Sequence, residues 1–151
     1  MEGSGTLTME NEVIEGNWAN SRLHGQGDRR LLLTEEVYRG EWINGKLTGL
    51  GEYFSPNSSY TGHFLNNFEH GKGKKCFSDG STYEGDWREG LPHGMGKFTW
   101  ENGDSYRGRF ENGEMSKGKK HYKNGDLYEG EYFNTKRHGQ GKMIYRRPVP
   151  A

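Results

Sequence analysis

Six times in 151 residues this chain runs through a large apolar residue, a glycine and an aromatic at alternate positions, and the six runs come every 22 to 24 residues. They open at Ile14, Tyr38, Tyr60, Tyr83, Tyr106 and Tyr128, as IEGNW, YRGEW, YTGHF, YEGDW, YRGRF and YEGEY. A period of that length marks a stack of supersecondary units, because one such unit cannot bury its own apolar side. Within a unit the period is two. Tyr83, Gly85 and Trp87 share one face and Glu84 and Asp86 the other; further on, Gly94, Gly96, Phe98 and Trp100 oppose Met95, Lys97 and Thr99. That alternation specifies half-buried strands and not helices.

Turn signals divide the strands. Asn44-Gly45, Glu89-Gly90 and Asn112-Gly113 fall within units, and Asp79-Gly80, Asn102-Gly103 and Asn124-Gly125 fall between them. Each unit therefore reads as a β-hairpin, and successive hairpins as one antiparallel meander. The predicted fold class is all-β: an elongated, single-layer, twisted and grooved sheet of 12 to 13 strands. The half unit covers 3–13 and the full units 14–37, 38–59, 60–82, 83–105, 106–127 and 128–147, with 148–151 as a C-terminal tail. Composition agrees with a stack and not with one large core. Leu, Ile, Val and Phe make only 23 residues, whereas 20 aromatics and 25 glycines stand at repeating places. The expected use of glycine is to leave a hole in the pleated face for a ring of the neighbouring hairpin to cover.

The signature Y-x-G-x-[WFY]-x-x-G-x-x-H-G-x-G resembles that of the MORN repeat family over nearly the whole chain. The resemblance implies a grooved sheet of stacked hairpins with scaffolding, membrane-apposition or cytoskeletal and ciliary roles, and no chemistry of its own. Three units depart from the pattern. The second has Thr48 in place of histidine. The first opens on Ile14 and has an expanded turn around LLLTEEV. The fifth, YRGRFENGEMSKGKK, lacks one residue and the His-Gly pair, which predicts an altered turn and a local bend.

Catalytic and ligand-binding readings find little support. His24, His70, His93 and His138 are repeat equivalents about 9.6 Å apart at two strands per unit, too far to share a zinc ion that needs nitrogens at about 2 Å. Hydrogen bonding in turns suits them better. The pairs Gly25/Gly27, Gly71/Gly73, Gly94/Gly96 and Gly139/Gly141 lack the Lys-Ser/Thr ending and following helix of a phosphate loop. Ser78, Ser81 and Ser105 lie in turns, and Glu84, Asp86, Glu129 and Glu131 alternate onto the polar face, so no nucleophile with its base stands out. The expectation is a non-enzyme with neither metal nor cofactor. Cys76 is the lone cysteine, and there is no basic-then-apolar leader pattern, so the expected setting is intracellular and reducing, in the cytoplasm.

Two surfaces are candidates for binding. The first is the aromatic stripe of Tyr38, Trp42, Tyr60, Phe64, Tyr83, Trp87, Tyr106, Phe110, Tyr128 and Tyr132. A single sheet has no second layer to cover such a face. Part of it is expected to stay accessible and to hold a helical or extended partner segment in a groove. The second is the basic C-terminal end, where 115–151 hold nine bases against three acids, while 1–20 hold four acids and no base. Lys117, Lys119, Lys120, Lys123, Lys136 and Arg137 could meet anionic headgroups or an acidic polymer surface; ordinary solubilising lysines are the plainer reading. Such asymmetry also allows end-to-end contact between arrays. Balanced charge overall, 21 basic against 21 acidic residues, argues against nucleic acid.

Overall fold

The turn residues set the topology. At Asn20-Ser21, Asn44-Gly45, Asn66-Asn67, Glu89-Gly90, Asn112-Gly113 and Asn134-Thr135 both residues have positive φ. That is the type I′ geometry, whose twist matches a two-residue hairpin. The computed structural model describes residues 2–146; the predicted tail and Arg147 lie outside the described residues. Thirteen strands follow one another: β1 (Gly3–Met9), β2 (Glu12–Ala19), β3 (Arg22–Leu31), β4 (Glu36–Ile43), β5 (Lys46–Phe54), β6 (Ser59–Leu65), β7 (Phe68–Cys76), β8 (Thr82–Arg88), β9 (Leu91–Thr99), β10 (Ser105–Glu111), β11 (Glu114–His121), β12 (Leu127–Phe133) and β13 (Lys136–Ile144). They form one sheet in sequence order, every pair antiparallel, with no helix among the described residues. The expected open meander is what forms.

Glycine fixes the register. Gly16 opposes Gly27, Gly27 opposes Gly40, and the column continues through Gly51, Gly62, Gly73, Gly85, Gly96, Gly108, Gly118, Gly130 and Gly141. Just beyond this column each hairpin carries a bulge, as between Gly85 and Trp87.

What covers the glycines differs from the sequence expectation. In repeats 3 to 6 it is chiefly the tyrosine of the same hairpin. A Cβ on Gly73 would lie 2.1 Å from Tyr60 Oη, one on Gly96 2.2 Å from Tyr83 Oη, and one on Gly141 2.1 Å from Tyr128 Oη. The ring folds back over its own glycine pair because its hydroxyl donates to a carbonyl three residues on. Tyr60, Tyr83, Tyr106 and Tyr128 reach the oxygens of His63, Asp86, Arg109 and Glu131 at 2.8, 2.8, 2.8 and 3.0 Å. The neighbouring hairpin supplies the other lock. The indole N–H groups of Trp18, Trp42 and Trp87 donate back to the carbonyls of Gly5, Gly27 and Gly73 at 3.0, 2.8 and 3.0 Å.

The second repeat solves the same problem otherwise. Leu47 and Phe64 both approach Gly51 there, and Leu47 is fully buried. Tyr38 is displaced onto Tyr53, with ring centroids 4.9 Å apart. In the fifth hairpin the predicted change of turn does not occur. Asn112 and Gly113 keep φ values of 47° and 89°. The missing residue is removed from the bulge instead: Arg109 still faces Lys117 and Phe110 faces Met115, leaving only Ser116 extra.

Candidate interaction faces

On one face the buried rings form a continuous zigzag. Phe64, Tyr60, Trp87, Tyr83, Phe110, Tyr106, Tyr132 and Tyr128 meet in turn, edge to face, with centroids 4.9 to 5.5 Å apart. This is the favourable orientation for ring quadrupoles, worth about 0.5–1.5 kcal/mol per pair beyond area burial. Nine of the ten stripe residues, all but Tyr38, are buried, eight of them in the zigzag and Trp42 outside it. They are the floor of the face and not its accessible lining.

The accessible lining is the adjoining row. Tyr53, Phe77, Phe98, Trp100, Met115, Tyr122 and Met143 are partly buried and pack on the zigzag. Phe98 sits in register between Tyr83 and Tyr106, and Trp100 touches it at 4.8 Å. Beside them a shallow cavity of about 380 Å³ is lined by Phe98, Trp100, Phe110, Met115 and Lys120. The alternation in the second strand of each unit carries the signal for Phe98 and Trp100; Phe77 and Tyr122 hold the same place as Trp100 in their own units, directly after β7 and β11.

Cations interleave with this row. Lys120 lies over the rings of Trp100 and Tyr122 at 4.2 and 4.9 Å, Lys75 over Phe77 and Trp87 at 5.7 and 5.9 Å, and Arg137 over Tyr128 at 5.6 Å. Glu69 enters the same face, and burial raises its carboxyl above the usual range although Lys75 pulls the other way. Glu36 is held below its ordinary value, first by the hydroxyl of Tyr53, which donates to it at 2.6 Å. Burial, and then that bond, push Tyr53 up to about 12.

The six predicted anion-binding residues do not form one patch. Lys117 and Lys119 point from β11 to the opposite face, Lys120 to the aromatic face, and Lys123 belongs to the following turn. Lys136 and Arg137 open β13, with Arg137 over Tyr128. Alternation separates neighbours in sequence, so a basic stretch on a strand divides between two faces.

Two of the four repeat histidines bond in turns. His24 and His93 accept from the backbone N–H of Asn44 and Asn112 through Nδ1 at 3.4 and 3.1 Å, and Thr48 accepts from Asn66 through Oγ1 at 3.1 Å. Thr48 therefore replaces histidine without losing the link to the next hairpin. His138 packs on Phe133 at 5.4 Å. On the polar face Asp86 pairs with Lys72, which lowers its pKa, and Glu129 pairs with Lys119 at 3.4 Å. Ser81 donates to Asp79 within a turn.

A comparison with curated proteins gave no match. The model of the MORN repeat does match, six times, at 15–30, 38–59, 60–82, 83–105, 106–127 and 128–147. MORN repeats are a scaffold family, known in protein-interaction and membrane-binding contexts, and not an enzyme family. With the signature tyrosines of repeats 3 to 6 seated on their own glycines, and His24 and His93 each tying one hairpin to the next, the chain belongs to the MORN repeat family.

Proposed function

We propose that the protein is a non-catalytic scaffold whose aromatic face docks a helical or extended segment of a partner protein. The observation that carries this reading is the row of half-exposed rings around Phe98 and Trp100, next to a cavity of about 380 Å³. Rigid aromatic side chains anchor interfaces at low entropic cost, and a buried floor holds them in place. Lys75 and Lys120 stand among the rings, where carboxylates of a partner segment would choose its direction. Membership in the family favours a cytoskeletal or ciliary assembly in the cytoplasm as the setting. The rival, attachment to anionic lipid through the C-terminal bases, is weakened by their division between two faces.

The test is partner retention from lysate at physiological and raised salt, with vesicle flotation alongside, for the native chain and for F98A/W100A. Both rings are half-exposed, so the variant keeps the zigzag, and circular dichroism verifies this. A defined partner that survives raised salt and is lost with F98A/W100A supports the groove. Salt-sensitive flotation on anionic vesicles without a stable partner overturns it.

A further inference from the structure

On the face opposite the rings a ladder of polar side chains crosses the sheet in register. Glu15, Asp28, Arg39, Glu52, Thr61, Lys74, Glu84, Lys97, Arg107, Lys119, Glu129 and Lys142 each oppose the next. Over most of its length opposite charges or a neutral residue meet, which suits cross-strand pairs. The rule is broken at two places, by the acids Glu15 and Asp28 at β2–β3 and by a run of cations at β9–β11. Lys97 faces Arg107 and Arg107 faces Lys119, while in the next row Arg109 faces Lys117. All five side chains are exposed. Lys119 has Glu129, whereas Lys97, Arg107, Arg109 and Lys117 form no ion pair among the described residues.

The conflict at β9–β11 has one source. The flanking pentads, YEGDW and YEGEY, carry two carboxylates at the positions where YRGRF carries Arg107 and Arg109. Glutamates there would pair with Lys97, Lys117 and Lys119; the arginines repel them. A shallow depression of about 410 Å³ lined by Lys97, Arg107, Met95 and, at its β8 edge, Glu84 opens beside the cluster.

We propose that this five-cation cluster is a second docking surface, for a short acidic segment, a run of Asp or Glu, of a partner polypeptide. Its shape favours a segment over a membrane. Glu84 on β8, Glu129 and Glu131 on β12 and Glu111 at the end of β10 border it, so the basic strip is two strand spacings wide, about 9.6 Å. A flat anionic bilayer laid on this face would meet those carboxylates as well. The strip also lacks the rings on which single-stranded nucleic acid stacks, since Phe98 and Tyr106 turn to the other face. Being on the opposite side of the sheet, the cluster does not depend on the aromatic groove.

The probe is a fluorescein-labelled peptide with six consecutive glutamates, read by anisotropy at low salt and at about 0.15 M, where the Debye length is about 8 Å. The native chain and W100A are expected to bind it alike, more weakly as salt rises. R107E/R109E is expected to bind at least about tenfold more weakly, with a melting temperature equal to or above the native value, because it restores the charge pattern of its neighbours. R107Q/R109Q, tested alongside, falls between them. Absence of peptide binding at low salt, or equal binding by R107E/R109E, overturns the proposal. So does binding of phosphatidylserine vesicles or an oligothymidylate that R107E/R109E abolishes and the peptide does not displace.

Discussion

Gly96→Ala adds one methyl group to a strand whose backbone accepts it, yet the substitution is expected to cost about 3–5 kcal/mol, in the range of deleting a buried ring. The added Cβ would lie 2.2 Å from Oη, 2.5 Å from Cζ and 2.6 Å from Cε2 of Tyr83. The backbone of β9 is held on both sides, so the ring must leave. Tyr83 is fully buried, contacts Trp87 at 5.0 Å and Phe110 at 4.9 Å, and donates to Asp86. A buried tyrosine covers about 150–250 Å², which at about 25 cal/mol per Å² is about 4–6 kcal/mol, an upper bound from an extended reference chain. A displaced ring recovers part of that on nearby surface. Urea denaturation followed by tryptophan emission and circular dichroism measures the loss. Two controls separate this mechanism from a general intolerance of side chains. Gly113→Ala, in a turn at φ +89 with Leu91 no nearer than 3.5 Å, should cost only the left-handed conformation, about 1–2 kcal/mol. In a Tyr83→Ala background Gly96→Ala should cost clearly less than in the native chain, whereas Gly85→Ala should remain costly, because a Cβ there meets the Gly96 Cα at 2.4 Å and the Met95 carbonyl at 2.5 Å. A loss below about 1 kcal/mol for Gly96→Ala, or additivity with Tyr83→Ala, would refute the ring-over-glycine account.

Three further outcomes test the same architecture. Tyr83→Phe should lower stability by about 0.5–1.5 kcal/mol through its lost bond to Asp86, while Tyr132→Phe should leave it unchanged or raise it, since the buried Tyr132 hydroxyl has no partner among the described residues; thermal melts of the pair decide. Thr135→Gly should stabilise the last hairpin by about 1 kcal/mol, because a β-branched residue is held there at φ 63, and the chemical denaturation midpoint reports it. Glu69 has a raised folded-state pKa, so its protonated form fits the fold better. Its contribution is fully present below the unfolded pKa, about 4.3, and is lost as pH rises through the folded value. Glu69→Gln should therefore raise the melting temperature at pH 7 and flatten its change as pH rises above about 4.3; a steeper profile would contradict the burial of the carboxylate.

The strands, their order and their turns are legible in the sequence because each rests on local chemistry: alternation within YEGDW, and positive-φ residues at Asn44-Gly45 and Asn112-Gly113. The seating of side chains is less legible, since it depends on what stands across the hairpin. Nothing in YRGEW distinguishes Tyr38 from Tyr83, but Leu47 occupies the space over Gly51 and turns Tyr38 out. The residue at that place changes from Leu23 and Leu47 to Glu69, Pro92, Met115 and Arg137, and only in the first two repeats does an aliphatic chain replace the tyrosine over the glycine. The same limit applies to charge. KGKKHYK reads as one basic run, yet a strand sends Lys119 and Lys120 to opposite faces, whereas Lys97, Arg107 and Lys119, 22 residues from first to last, stand side by side. In a repeat sheet the neighbours that decide packing and repulsion lie about one hairpin away in the chain. Reading down equivalent positions of successive repeats is therefore what exposes the fifth unit, where two arginines take the places of the acids on either side.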